Sequence, residues 1–130
     1  MVVFDADAVR RRVIATVPAG TTWRAFHDQG LLQISERPAL TDYDWIIDDQ
    51  GPMEDVDVEG MAASGAAFLR LSKTPDRLTF TIVVTTDRFF PEWARVIDKH
   101  YGARRHHAAP TLKAAVALLE TLDRVRAEAA

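Results

Sequence analysis

The sequence predicts an α+β domain: a four-stranded antiparallel meander flanked by two N-terminal and two C-terminal helices. Three observations carry this expectation. Apolar residues recur every three or four positions towards both ends of the chain, the signature of helices with one buried face. Alternating and β-branched runs are confined to the middle, so the strands are contiguous in sequence and are expected to pair in order under a helical cover. The length of 130 residues, with 48% hydrophobic residues, suits one sizeable core and a single domain over 1–130.

Taken in order, Asp5 or Asp7 is placed to cap a first helix, in which Val9, Val13 and Val17 recur at four-residue spacing before Pro18 and Gly20. Thr21 or Thr22 caps a short second helix carrying Trp23 and Phe26, and Gly30 reads as its stop. Leu31–Ser35 and Tyr43–Ile47 read as strands, the second alternating Tyr43, Trp45 and Ile47 on one side. Ala67–Ser72 reads as a third strand, joined through Lys73-Thr74-Pro75-Asp76 to the clearest one, Arg77–Thr86, where Leu78, Phe80, Ile82 and Val84 alternate with Thr79, Thr81 and Val83. A third helix has Pro91 in its first turn, an apolar stripe of Trp93, Val96, Ile97, His100 and Tyr101, and Gly102 as its stop. Ala103–Pro110 reads as a loop. Thr111 then caps a last helix with Leu112, Val116, Leu119 and Leu122 on one face.

Composition excludes several classes. With no cysteine, disulfide scaffolds, thiol catalysis and Cys-based zinc sites are out. A net charge of -3 argues against a dedicated nucleic-acid binder. No stretch approaches the roughly 18 consecutive apolar residues of a membrane helix, and no secretory leader is legible, so the expected location is the cytoplasm.

The net charge is a cancellation. Residues 38–76 hold two basic and nine acidic groups, whereas residues 1–37 carry net +1 and residues 77–130 net +3. Within the acidic stretch, Asp42, Asp44, Asp48, Asp49, Glu54, Asp55, Asp57 and Glu59 place eight carboxylates in 18 positions. Three readings suit such a run: a solvated face, a docking surface for a basic protein partner with Trp45 as anchor, or a divalent-metal site. Asp48-Asp49-Gln50-Gly51-Pro52 lacks the calcium-loop spacing, so no metal is assigned.

Catalytic motifs are missing. There is no HExxH pair, no GxGxxG and no P-loop, and Ser64 in Ala-Ala-Ser-Gly-Ala lacks the glycines of a nucleophile elbow. No catalytic residue and no cofactor are assigned. Arg104-Arg105-His106-His107 forms a compact basic cluster suited to an anion or to a salt bridge with the acidic stretch. An alternative to partner docking is a small-ligand-binding protein or enzyme with a pocket between the sheet and the third helix, near Trp93, His100 and Tyr101, with Arg104 or Arg105 at its mouth.

Trp23 leading to Gly30, then Asp44-Trp45-Ile46, Arg77–Val83 and Val96–Arg104, form a pattern that resembles bacterial polymorphic-toxin immunity proteins, of the type that neutralises the tuberculosis necrotizing toxin. The resemblance spans roughly Thr21 to Leu112 and carries over no individual binding residue. It implies a small non-catalytic α+β protein that binds a cognate toxin and blocks its site. Oligomeric state is not legible.

Overall fold

A computed structural model describes residues 1–130. Ten elements follow one another: β1 (Val3–Asp7), β2 (Arg12–Val17), α1 (Trp23–Glu36), a 3₁₀ turn (Pro38–Asp42), β3 (Asp44–Asp49), α2 (Val58–Leu71), β4 (Phe80–Val84), α3 (Phe90–Asp98), β5 (Arg105–Ala109) and α4 (Leu112–Ala129). The strands form a single five-stranded mixed sheet in the order β1-β2-β3-β4-β5. Only β1 and β2 are antiparallel; β2 to β5 run parallel.

This overturns the expected antiparallel meander. Strands and helices alternate after β2, and each helix carries the chain back to the next strand, as parallel pairing requires. The errors have local causes. Val9, Val13 and Val17 fit a four-residue period, but Val13, Ala15 and Val17 fit a two-residue one, and that triplet is fully buried. The first helix is therefore a hairpin. Its turn is made by Asp7, whose carboxylate accepts from the Val9 and Arg10 amides, and by Arg11, which adopts φ 54°. Leu31–Ser35 continues α1, since Leu and Gln tolerate a helix well. Pro38 ends it by restricting the residue before it. Ala67–Ser72 is the last turn of the alanine-rich α2, which Asp57 caps through the Gly60 amide. The expected loop at Ala103–Pro110 contains β5. Arg-His-His-Ala-Ala has little intrinsic strand preference, and its pairing with β4 imposes the conformation.

Alternation along the strands sorts side chains onto two faces. On one face Val13, Ala15, Val17 and Trp45 pack under Ile34 of α1 and Ala67 of α2. On the other, Ile46, Phe80, Ile82, Val84 and Ala109 pack under Ala115 and Leu119 of α4. The end of α3 is drawn tightly against α2 at Gly65, where any Cβ would collide with the His100 carbonyl. Gly30 differs. It lies inside α1 without a positive φ, and a Cβ there would meet nothing within 4 Å. Neither backbone geometry nor packing asks for glycine at that position, where it weakens the helix by about 1 kcal/mol relative to alanine.

Two arginines fasten the layers, Arg104 buried and Arg126 half-buried. Arg104, at 3% exposure, donates to the carbonyls of Thr41 (2.9 Å), Tyr43 (2.6 Å) and Phe80 (3.1 Å) and to Thr81 Oγ1 (3.0 Å). Burial pulls it down to about 10, against the opposing pull of Asp44. Arg126 pins α4 to the sheet. It donates to both Asp44 oxygens, at 3.0 and 2.8 Å, and to the Leu78 carbonyl at 3.0 Å. Asp44 also accepts from the Phe80 amide at 2.9 Å. No helix is long and apolar enough to cross a membrane.

Candidate functional site

The acidic stretch does not stay together as one surface. Asp42 is buried and accepts from the Ser72 and Thr74 hydroxyls and the Lys73 amide. Burial alone would raise its carboxyl, but these bonds outweigh it and hold it below the ordinary value. Asp44 is taken by Arg126. Asp55 caps α1 by accepting from the Trp23 amide at 2.6 Å and the Arg24 amide at 3.2 Å, and Asp57 caps α2. Trp45 is 4% exposed, and its indole N–H donates to the Leu40 carbonyl at 2.9 Å, so its ring is part of the core and offers no exposed anchor. Asp48, Asp49, Glu54 and Glu59 remain, and none forms an ion pair. Asp48 and Asp49 lie at the C-terminal end of β3, where burial, reinforced by Asp48, raises the Asp49 carboxyl. No group of three or more His, Asp or Glu side chains is placed to hold a metal ion.

The residues expected around a pocket beside α3 also separate. Trp93 is an exposed aromatic on α3, Arg105 donates back to the Gly102 and Arg104 carbonyls, and Arg104 is wholly engaged in the fastening described above. His100 abuts Gly65 through its backbone. Tyr101 alone of the five lines the main cavity, which lies under α1 and α2 rather than beside α3.

That cavity encloses about 70 Å³. Its apolar walls are Phe26 and Leu31 of α1, Phe68 of α2, and Trp45 and Ile47 of β3. Five polar side chains converge on it: His27, Ser64, Thr81, Tyr101 and His106. α1 brings His27, stacked on Trp23 with ring centroids 4.8 Å apart, and α2 brings Ser64, whose hydroxyl is hydrogen-bonded to His27 Nδ1. β5 turns His106 inward and His107 outward by simple alternation. Asp98, at the end of α3, accepts from the His106 backbone amide and approaches its Nδ1, both at 2.9 Å. Nδ1 is therefore the protonated nitrogen and Nε2 is left as an acceptor. Nε2 bonds to no protein group and is not fully buried, and His106 lines the cavity.

Electrostatically the site is neutral. Burial lowers His106 below its ordinary value, with the Asp98 hydrogen bond opposing, and burial lowers His27 with Asp28 opposing. Burial pushes the Tyr101 phenol up to about 12, opposed by Ser64 and Arg104. At neutral pH both imidazoles and the phenol are uncharged. Burial also raises the Asp98 carboxyl, but the His106 bonds prevail and keep it ionised.

The Ser64–His27 pair has the hydrogen bond of a nucleophile and its base. It lacks the rest. Ser64 sits in the middle of α2, where the backbone amides are committed to the helix ladder and supply no donors for a developing oxyanion. The arrangement is suited to recognising polar groups by hydrogen bonding. The sequence hides its key members for identifiable reasons: His106 falls in an expected loop, Gly30 reads as a helix stop, and the Ser64–His27 contact joins two elements whose packing no local pattern reveals. The chain matches no protein-family model, no curated protein and no solved structure.

Proposed function

We propose that this is a cytoplasmic, non-catalytic small-ligand-binding domain whose site is the cavity between the sheet and helices α1 and α2. The observation that carries the reading is the convergence of five neutral polar side chains from five separate parts of the chain onto one mostly apolar cavity. Such concave, largely apolar sites with a few placed polar groups are where small molecules bind. A panel of small neutral aromatics and alcohols, followed by amide and indole NMR shifts, tests it. Binders that perturb Phe26, Leu31, Trp45 and Tyr101 together are expected. A panel at millimolar concentration that leaves all four unmoved overturns the reading.

One observation favours a second reading. Asp48, Asp49, Glu54 and Glu59 are free of ion pairs and suit a basic protein partner, a toxin being the partner class that the resemblance to immunity proteins implies. Charge reversal at Glu54 and Glu59, which cap nothing, is expected to abolish such docking without unfolding the chain, and co-purification that survives the reversal rejects it.

A further inference from the structure

Two features of the cavity go beyond the presence of a site. The first is its charge inventory. No cation or carboxylate lines the space; outside it, Arg104 has its guanidinium spent on four protein oxygens and Asp98 is spent on His106. An ionic ligand would leave water for a lining with no free opposite charge, which is costly. His106 Nε2, in contrast, is an acceptor fixed in place by Asp98 and bonded to no protein donor. It asks for a donor from the ligand.

The second feature is Gly30. This glycine costs α1 stability, has helical geometry and meets nothing where a side chain would stand, yet it borders the cavity. Its one structural effect is to leave open space at the α1 wall. The volume of about 70 Å³ is well below the roughly 150 Å³ of a cavity that holds benzene, so a ligand of that size must extend outward past some part of the wall.

We infer that the cavity takes an uncharged small molecule with an apolar body, which inserts a hydroxyl donor towards His106 and leaves by the gap that Gly30 keeps open in α1. This rests on the ligand-binding reading above and narrows it to a ligand class and an entrance. Aromatic walls on both sides, Phe26 and Phe68 with Trp45, favour a flat ring as that body.

Phenol, anisole and benzoate present the same ring with a donor, a capped acceptor and an anion. NMR titrations of the intact protein with each separate the possibilities. Phenol is expected to bind at least about tenfold tighter than either of the others, the equivalent of about 1.4 kcal/mol. Anisole equal to phenol overturns the donor requirement, and benzoate tighter than phenol overturns the neutral class. If none of the three moves the cavity resonances, the ligand-binding reading itself fails. Gly30→Phe tests the entrance: phenol affinity is expected to drop at least about tenfold with the melting temperature held. Gly30→Ala is expected to raise the melting temperature and leave phenol binding within about twofold. Unchanged phenol affinity in Gly30→Phe overturns the entrance. Should that variant not fold, loss of phenol binding in the more modest Gly30→Leu decides the same point.

Discussion

The two faces of the sheet are built on opposite terms. The face under α4 is dry: Ile46, Ile82, Ala115 and Leu119 have no exposed surface, and its one polar device, Asp44 with Arg126, is closed on itself. The face under α1, α2 and α3 carries comparable apolar packing around Val13, Val17 and Ile34, but beyond Trp45 it opens into a cavity with five polar side chains. One cover helix is enough to seal the first face. Three helices approaching from different crossovers leave room between them on the second. The difference separates stability from recognition within one sheet: damage on the α4 face should cost folding, and damage at the cavity should cost binding.

The largest effect is expected for Asp44→Ala. It strands the Phe80 amide and leaves Arg126 only the exposed Asp123 and the Leu78 carbonyl, at a site where the Asp44 and Arg126 side chains are 9% and 15% exposed. Breaking a buried pair from one side costs about 3–5 kcal/mol, measurable as a lower urea midpoint. A loss under about 1 kcal/mol would mean the pair behaves as a surface contact and would break the comparison. Acidification is expected to act next, and on the other face. His27 and His106 are held below 6.5 by burial, so the unfolded chain takes up protons on these rings before the native protein does. Stability is therefore level above pH 6.5 and falls as pH drops through the window beneath it. Asp42 and Asp98, held below 3.8, contribute their own loss only at more acidic pH. Urea midpoints at pH 7.5 and 5.5 check this, and a midpoint that rises on acidification contradicts it. The smallest effect is expected for Ser64→Ala. The cavity lets water reach His27 in place of the hydroxyl, so the cost should stay near or below about 1 kcal/mol while ligand binding weakens. A loss as large as that of Asp44→Ala would show that the cavity face is as closed as the other.

How much of this was legible in the sequence follows the same division. Helices α3 and α4 and strands β3 and β4 carry strong local signals: Pro91 in the first turn, the Thr111 cap, the β-branched run through Ile82 and Val84. What failed was pairing. Parallel and antiparallel sheets share the same residue preferences, and the outcome turned on whether Ala67–Ser72 and Leu31–Ser35 were strands or helix ends, a choice that local propensity leaves nearly balanced. The charge map located a real anomaly but not its use. Asp55 and Asp57 cap helices, and Asp42 and Asp44 brace the start of β3, roles that need a tertiary structure to be seen. The cavity was invisible for a related reason, since Phe26, Ser64, Tyr101 and His106 are far apart in the chain and share no motif.

The position of α4 in the order of elements bears on how the chain is made. During synthesis, α1, α2 and α3 each emerge between the strands they cover, so their side of the sheet is shielded progressively. Ile46, Phe80, Ile82 and Val84 on the other side have no cover until residues 112–129 follow. A nascent chain stalled after β5 would present a continuous oily surface to its surroundings, an aggregation hazard until α4 docks.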